Sequence, residues 1–381
     1  MSPYGKDRLI SLLDRLETEL DPNEETAIES RYRRALIWET VDRLPVIVSC
    51  PRPPSGDLEP WPHSQAVRDP QKMLFNELVS AWGTSVVRRS TIGDDLPVTI
   101  RANMGTVLVA SCFGAAVEQP GDDPPWARPL ASREEFVKAI GRSGAPDSDH
   151  VRRAEEFMGF YSERLAGYEN LARIVKITVP DLQGPFDNAA MLRGSDLLMD
   201  AALDPGLFAA ALERMTQAQI DLVHRFRPLT VNEPDGFAHQ HGVPVRGNLL
   251  IRNDSAVMVS PHMYAEQIGP YDEHVMEAVG GGGLHSCGSI DHVFEHYLEH
   301  ASVRSIDYGQ STMNDVDAHY RLASERRVAL LRVEATREEL VGGSILTRFP
   351  TGVALLYRAA SIDDALEVMR AYRTRECMVS V

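Results

Sequence analysis

The sequence is short of several features that would each settle its class. It has four cysteines in 381 residues, Cys50, Cys112, Cys287 and Cys377. They are far apart in a long chain, which excludes a disulfide framework and leaves each as a buried thiol, a ligand or a nucleophile. No run of about 18 uninterrupted apolar residues is present, so no membrane-spanning helix is expected. The opening residues, Met1-Ser2-Pro3-Tyr4-Gly5-Lys6-Asp7, lack an apolar signal region, and the expected location is cytoplasmic. Positive charge is also scarce: 39 Lys and Arg stand against 55 Asp and Glu, a formal net charge of −16 at pH 7. That balance repels phosphate backbones and anionic membranes, and leaves a small molecule as the expected partner. There is no G-x-G-x-x-G after a first strand, no internal repeat and no low-complexity segment. Nothing in the sequence specifies an oligomeric state.

What the chain does have is aliphatic. Hydrophobic residues make up 43% of it, enough for one large core. Leu9, Leu12, Leu13, Leu16 and Leu20 share one helical face, Asp21-Pro22-Asn23 stops that helix, and a second runs through Glu24–Trp38. Residues 1–40 are therefore read as a helical extension packed on a main domain of residues 41–381. Eight candidate strands follow: Leu44–Ser49, Val86–Thr91, Ile174–Val179, Gly247–Arg252, Gly282–Ser286, Val303–Asp307, Val328–Val333 and Val353–Tyr357. Most are apolar on both faces, as strands buried on both sides must be. Between them lie helices with clear start signals, Asp204-Pro205, Ser260-Pro261 and Ser361 with Asp364. This alternation predicts an α/β fold, a (β/α)₈ TIM barrel. Residues 94–130, a β-hairpin excursion, and residues 229–246, which contain His239 and His241, read as insertions.

In such a barrel the residues just after each strand line the working face. Strand three ends in Asp181-Leu182-Gln183-Gly184-Pro185, and Asp181 and Gln183 are candidate catalytic residues. Strand four is followed by Asp254, a third catalytic candidate that also suits a loop cap. Strand five carries the sharpest signal, Gly280-Gly281-Gly282-Gly283-Leu284-His285-Ser286-Cys287. Positions i and i+2 of a strand share a side, so an imidazole and a thiolate are presented together, half of a zinc site. Strand six ends in Asp307-Tyr308-Gly309-Gln310 and strand seven in Glu334. Tyr308 and Gln310 are candidate substrate-binding groups, and Asp307 and Glu334 candidate carboxylate ligands or bases.

Asp42-Arg43-Leu44-Pro45-Val46, Asp181-Leu182-Gln183-Gly184-Pro185-Phe186, the Asp254…Ser260-Pro261…Pro270-Tyr271 segment and His285-Ser286-Cys287-Gly288 occur in that order. As a set, spanning roughly residues 30–360, they resemble the uroporphyrinogen decarboxylase superfamily, and within it the zinc-dependent corrinoid methyltransferases. The resemblance implies a zinc held by His285, Cys287 and a third ligand, and a methylcorrinoid supplied by a partner protein. It also implies a small thiol that takes the methyl group. That branch places a late cysteine third. Here the last strand carries none, and Cys377 follows the final helix, so Glu334 is the expected third ligand. The decarboxylase branch implies a metal-free lyase acting on uroporphyrinogen or a related polycarboxylate. For that alternative Arg52, Arg88, Arg89 and Arg101 are candidate carboxylate clamps, and Asp94 and Asp95 align with the region of that branch's catalytic aspartate.

Overall fold

A computed structural model of the chain describes residues 3–50, 56–79, 86–230, 236–240 and 242–374. Arg52, His241 and Cys377 lie outside the described residues. The chain opens with helices α1, Pro3–Glu19, and α2, Pro22–Leu36. The five leucines on one side of the first segment are all buried. Asp21 caps α2 by accepting the Asn23 N–H at 2.9 Å, and Pro22 takes the first-turn position that needs no donor.

Eight strands with parallel partners follow: β1 Val46–Ser49, β2 Thr99–Ile100, β3 Lys176–Ile177, β4 Leu249–Arg252, β5 Gly282–Ser286, β6 Val303–Tyr308, β7 Ala329–Glu334 and β8 Val353–Arg358. Six form one parallel sheet in the order β1-β8-β7-β6-β5-β4, while β2 and β3 pair with each other. The two groups touch at both edges. Asp95 N–H bonds Val46 O at 2.8 Å, and Gly184 N–H bonds Arg252 O at 2.6 Å beside a parallel Gln183–Arg252 bridge. The architecture is a mixed α/β fold around a central parallel sheet. Among the described residues no helix is long and apolar enough to cross a membrane.

The second strand differs from expectation. Val86–Ile92 is a helix, and the strand is Thr99–Ile100, inside the segment read as an insertion. A β-branched run suits either state, but Val86, Arg89 and Ile92 are buried at three-residue spacing, which is a helical face. Val107–Ala110 leads into a short helix, Leu108–Cys112. The hairpin expected in this region is Ala116–Glu118 with Trp126–Arg128. A second hairpin, Phe237–Gln240 with Val243–Arg246, occupies the other predicted insertion. His239 on it lies 2.6 Å from Glu29 of α2, so it ties the hairpin to the helical extension.

The glycine run before His285 has a structural use. Gly280 sits at φ +93 and ends the preceding helix in the left-handed region. A Cβ on Gly282 would lie 2.0 Å from Leu249 O, so β4 and β5 approach as closely as they do only without a side chain there.

Candidate metal centre

Register places the functional side chains. His285 on β5 pairs with Arg252 on β4 and with Asp307 on β6, and Asp307 pairs with Leu331 on β7. Paired residues of a parallel sheet point to the same side, so these four form one row across the strand ends. Cys287 follows β5 directly and brings its sulfur to 3.6 Å from His285 Nε2.

The third donor comes from the turn after β4. Asp254 Oδ1 accepts the Cys287 N–H at 2.9 Å and stands 3.6 Å from His285 Nε2. One donor atom from each of Asp254, His285 and Cys287 lies within 4.8 Å of the others. Zinc–ligand bonds of about 2.0–2.3 Å at tetrahedral angles separate neighbouring ligand atoms by roughly 3.3–3.8 Å. The 3.6 Å nitrogen–sulfur and nitrogen–oxygen separations therefore match two edges of such a tetrahedron with little movement. Nitrogen, thiolate and carboxylate are all donors that zinc accepts.

Two carboxylates behind the donors hold them. Asp187 accepts the backbone N–H groups of Asp254 at 2.8 Å and Ser255 at 2.9 Å, which pins the turn. Burial pushes the Asp187 carboxyl up to about 6, against the bonds it accepts. Asp307 Oδ2 lies 2.8 Å from His285 Nδ1, and Arg332 bonds both oxygens of Asp307, with Nε to Oδ1 at 2.7 Å. Arg332 Nη2 is also 3.0 Å from Nδ1. With the Nη2 hydrogen directed to Asp307 Oδ2, its shorter contact, a proton on Nδ1 is the arrangement that avoids lone pairs of Nδ1 and Oδ2 facing at 2.8 Å. The assigned tautomer thus leaves the Nε2 lone pair toward Cys287 and Asp254. The Cys287 thiol is pushed up to about 11, by burial first and then by the Asp254 charge, so it needs a cation to become a thiolate at neutral pH.

Two cavities meet at these donors. One, of about 220 Å³, is lined by His285, Cys287, Arg252, Arg332, Arg358 and Gln310 among others. The second, of about 410 Å³, is lined by Asp254, Gln183, Asp187, Arg252, Trp126 and Met191 among others. Arg252 lines both cavities, and Asp254 lines the second. Gly309 borders the first, and a Cβ there would lie 2.7 Å from the Cys287 sulfur.

The other sequence-predicted residues are distributed as follows. Gln183 lines the second cavity. Asp181 is buried against Arg101, with Arg252 at 3.7 Å. Gln310 accepts the Gly288 N–H at 2.6 Å and supports the loop after Cys287. Tyr308 borders the first cavity, but its hydroxyl bonds His319 Nδ1 at 2.9 Å. Asp94 accepts the Val48 N–H at 2.8 Å, and Asp95 is paired with Arg31 and Arg43; neither lines either cavity. Glu334, the expected third ligand, is instead paired with Arg358 at 3.0 Å, and the carboxylate beside His285 and Cys287 is Asp254. Glu334 ends β7, two strands from β5, whereas Asp254 lies in the turn after the neighbouring β4, where it accepts the Cys287 N–H. Among the arginines considered as clamps, Arg89 pairs with Glu25 and Arg101 with Asp181, and the guanidinium groups on the first cavity are Arg252, Arg332 and Arg358.

Sequence reading missed Asp187, Arg252 and Arg332. Asp187 reads as an ordinary acid in a helix's first turn, and Arg252 and Arg332 read as strand arginines with no spacing signal.

The sequence matches no protein-family description and no curated protein. In three dimensions the chain is similar to a methyltransferase from Methanosarcina mazei, at a TM-score of 0.61 and 15% sequence identity, over 93% of this chain and 99% of that one. At that identity the likeness shows a shared fold, a TIM-barrel-like α/β architecture.

Proposed function

We propose that the chain is a zinc-dependent methyltransferase on a closed (β/α)₈ barrel, moving a methyl group from a corrinoid on a separate protein to a small thiol. The observation that carries this reading is the convergence of His285 Nε2, Cys287 Sγ and Asp254 Oδ1 at strand ends, with two separations near 3.6 Å. Three protein donors leave one tetrahedral position for a substrate, the pattern of a catalytic zinc site. Backbone bonds at both edges of the six-stranded sheet support closure through β2 and β3. The likeness to a methyltransferase fold supports the class of reaction.

Bound zinc supplies Lewis acidity that lowers the pKa of a thiol in the open position. The residues of the chain do the rest. His285, Cys287 and Asp254 fix where the sulfur sits, and the first cavity, bordered by His285 and Cys287, receives the thiol's remaining atoms. The second cavity, lined by Asp254 and Arg252, gives a methyl donor its own approach. A methylcorrinoid would supply the methyl group as a co-substrate, with the bonding electron pair remaining on its cobalt, and the thiol proton would leave to water.

The metal-free lyase reading draws on Arg252, Arg332 and Arg358 around the first cavity. All three guanidinium groups already meet protein carboxylates, Arg252 with Asp181, Arg332 with Asp307 and Arg358 with Glu334, which favours methyl transfer.

The test is metal analysis of untagged protein followed by incubation with methylcobalamin and a panel of small thiols. About one zinc per chain, lost in His285→Ala, with cobalamin demethylation that requires both zinc and thiol, is expected. No bound zinc in the wild type, or coproporphyrinogen formed from uroporphyrinogen without metal, overturns the proposal.

A further inference from the structure

Resting on the metal-site reading, we infer that Arg332 is the positioning residue that sets the His285 tautomer, and that β7 is distorted to deliver it. Three non-glycine residues among those described have positive φ, and Arg332, at φ +55, is the one inside a strand. The pairing of β7 with β8 steps from Leu330–Val353 to Val333–Leu355, so one extra residue is accommodated between them, the signature of a bulge. Asp307 pairs with Leu331. In a regular strand the next residue, Arg332, would point to the opposite face. The bulge and the left-handed backbone turn it back toward Asp307.

The returned side chain is half of a fork. Arg332 Nε bonds Asp307 Oδ1 at 2.7 Å and Nη2 bonds Oδ2. Both carboxylate oxygens are thereby held by one guanidinium through two separate nitrogens, which a single ammonium cannot do. Asp307 is fully buried and His285 nearly so, and water does not compete for these bonds. Oδ2 is left 2.8 Å from Nδ1, where it accepts the ring N–H and points the Nε2 lone pair at the donor cluster. Arg332 acts on His285 through Asp307, and its Nη2, 3.0 Å from Nδ1, borders the ring directly. A backbone conformation unfavourable to arginine is kept at a position where it serves that chain of contacts.

Arg332→Gly separates this role from a structural one. Glycine is at ease at φ +55, but the fully buried Asp307 loses its guanidinium partner, so the metal-free variant should unfold below the wild-type temperature, and tautomer and zinc affinity are read well below both transitions. Zinc affinity, measured by chelator competition, should still fall by about 10–100-fold, the range for loss of a group behind a metal ligand. Arg332→Lys, which holds one carboxylate oxygen, should lie between the two. Ring-nitrogen chemical shifts of His285 in metal-free protein give a readout that does not depend on zinc. The wild type should show the Nδ1-protonated form, and Arg332→Gly a mixture of tautomers. An unchanged tautomer in the glycine variant overturns the inference. So does unchanged zinc affinity in that variant when the wild type binds zinc. A wild type that binds no zinc but loses its tautomer preference in Arg332→Gly overturns the metal-site reading and leaves this inference standing.

Discussion

The Asp187 carboxylate accepts the N–H of Asp254 at 2.8 Å and that of Ser255 at 2.9 Å, and so holds the Asp254 side chain over Cys287. A helix residue after β3 thereby positions the donor that follows β4. Asp187→Ala leaves both N–H groups without their acceptor. Stability should fall by about 1–3 kcal/mol, the cost of unsatisfied buried donors, and zinc affinity by about 10–100-fold. Denaturant unfolding and chelator competition measure the two. Asp187→Asn retains one acceptor oxygen and should lose less of both.

Zinc binding should be strongly pH-dependent. The Cys287 thiol is held up at about 11 by burial and by Asp254, so it is protonated at neutral pH and must lose that proton to ligate. Each pH unit raises the thiolate fraction of the metal-free protein about tenfold, and the affinity should rise by roughly the same factor between pH 7 and 9. Calorimetry in buffers of different ionisation enthalpy should find one proton released from Cys287. Cys287→Ser should bind more weakly and with a shallower pH dependence.

Asp272, fully buried, gives a pH effect on stability that is separate from the metal. Its Oδ2 accepts Asn253 Nδ2 at 2.6 Å and the Tyr264 hydroxyl at 3.0 Å, while burial pushes the carboxyl up to about 8. A folded-state value raised above the unfolded one contributes stability that is fully present below the unfolded pKa of about 3.9 and is lost as pH rises toward the folded value. One such proton corresponds to about 1.4 kcal/mol per pH unit. The metal-free wild type should therefore lose stability between pH 5 and 8. Asp272→Asn, which keeps an acceptor oxygen and never ionises, should flatten that slope; equal slopes for the two proteins would remove Asp272 as its source.

The sequence makes some of this legible for a physical reason. Gly282–Ser286 reads as a strand because glycines, an apolar residue and an H-x-C pair at two-residue spacing agree, and the strand forms over those residues. The leucine face of α1 and the Asp21-Pro22 stop are equally local signals. Val86–Ile92 is misread because a short β-branched run carries no period of its own, and its helical state is set by what buries Val86, Arg89 and Ile92. The pairing of Asp254 rather than Glu334 with His285 and Cys287 is likewise not local. It depends on Asp187, far away in sequence, and on the engagement of Glu334 by Arg358. Arg332 is the extreme case, since its direction is decided by a bulge between β7 and β8 that no residue type announces.

The account's central claim is that zinc is held by one imidazole, one thiolate and one carboxylate from the ends of β4 and β5. X-ray absorption at the zinc edge of the purified protein tests it directly. One sulfur at about 2.3 Å with two or three nitrogen or oxygen neighbours at about 2.0–2.2 Å is the predicted shell, and the sulfur contribution should vanish in Cys287→Ser. A second sulfur in the shell without added thiol, or a sulfur that persists in Cys287→Ser, would contradict the assignment of Asp254 as the third ligand.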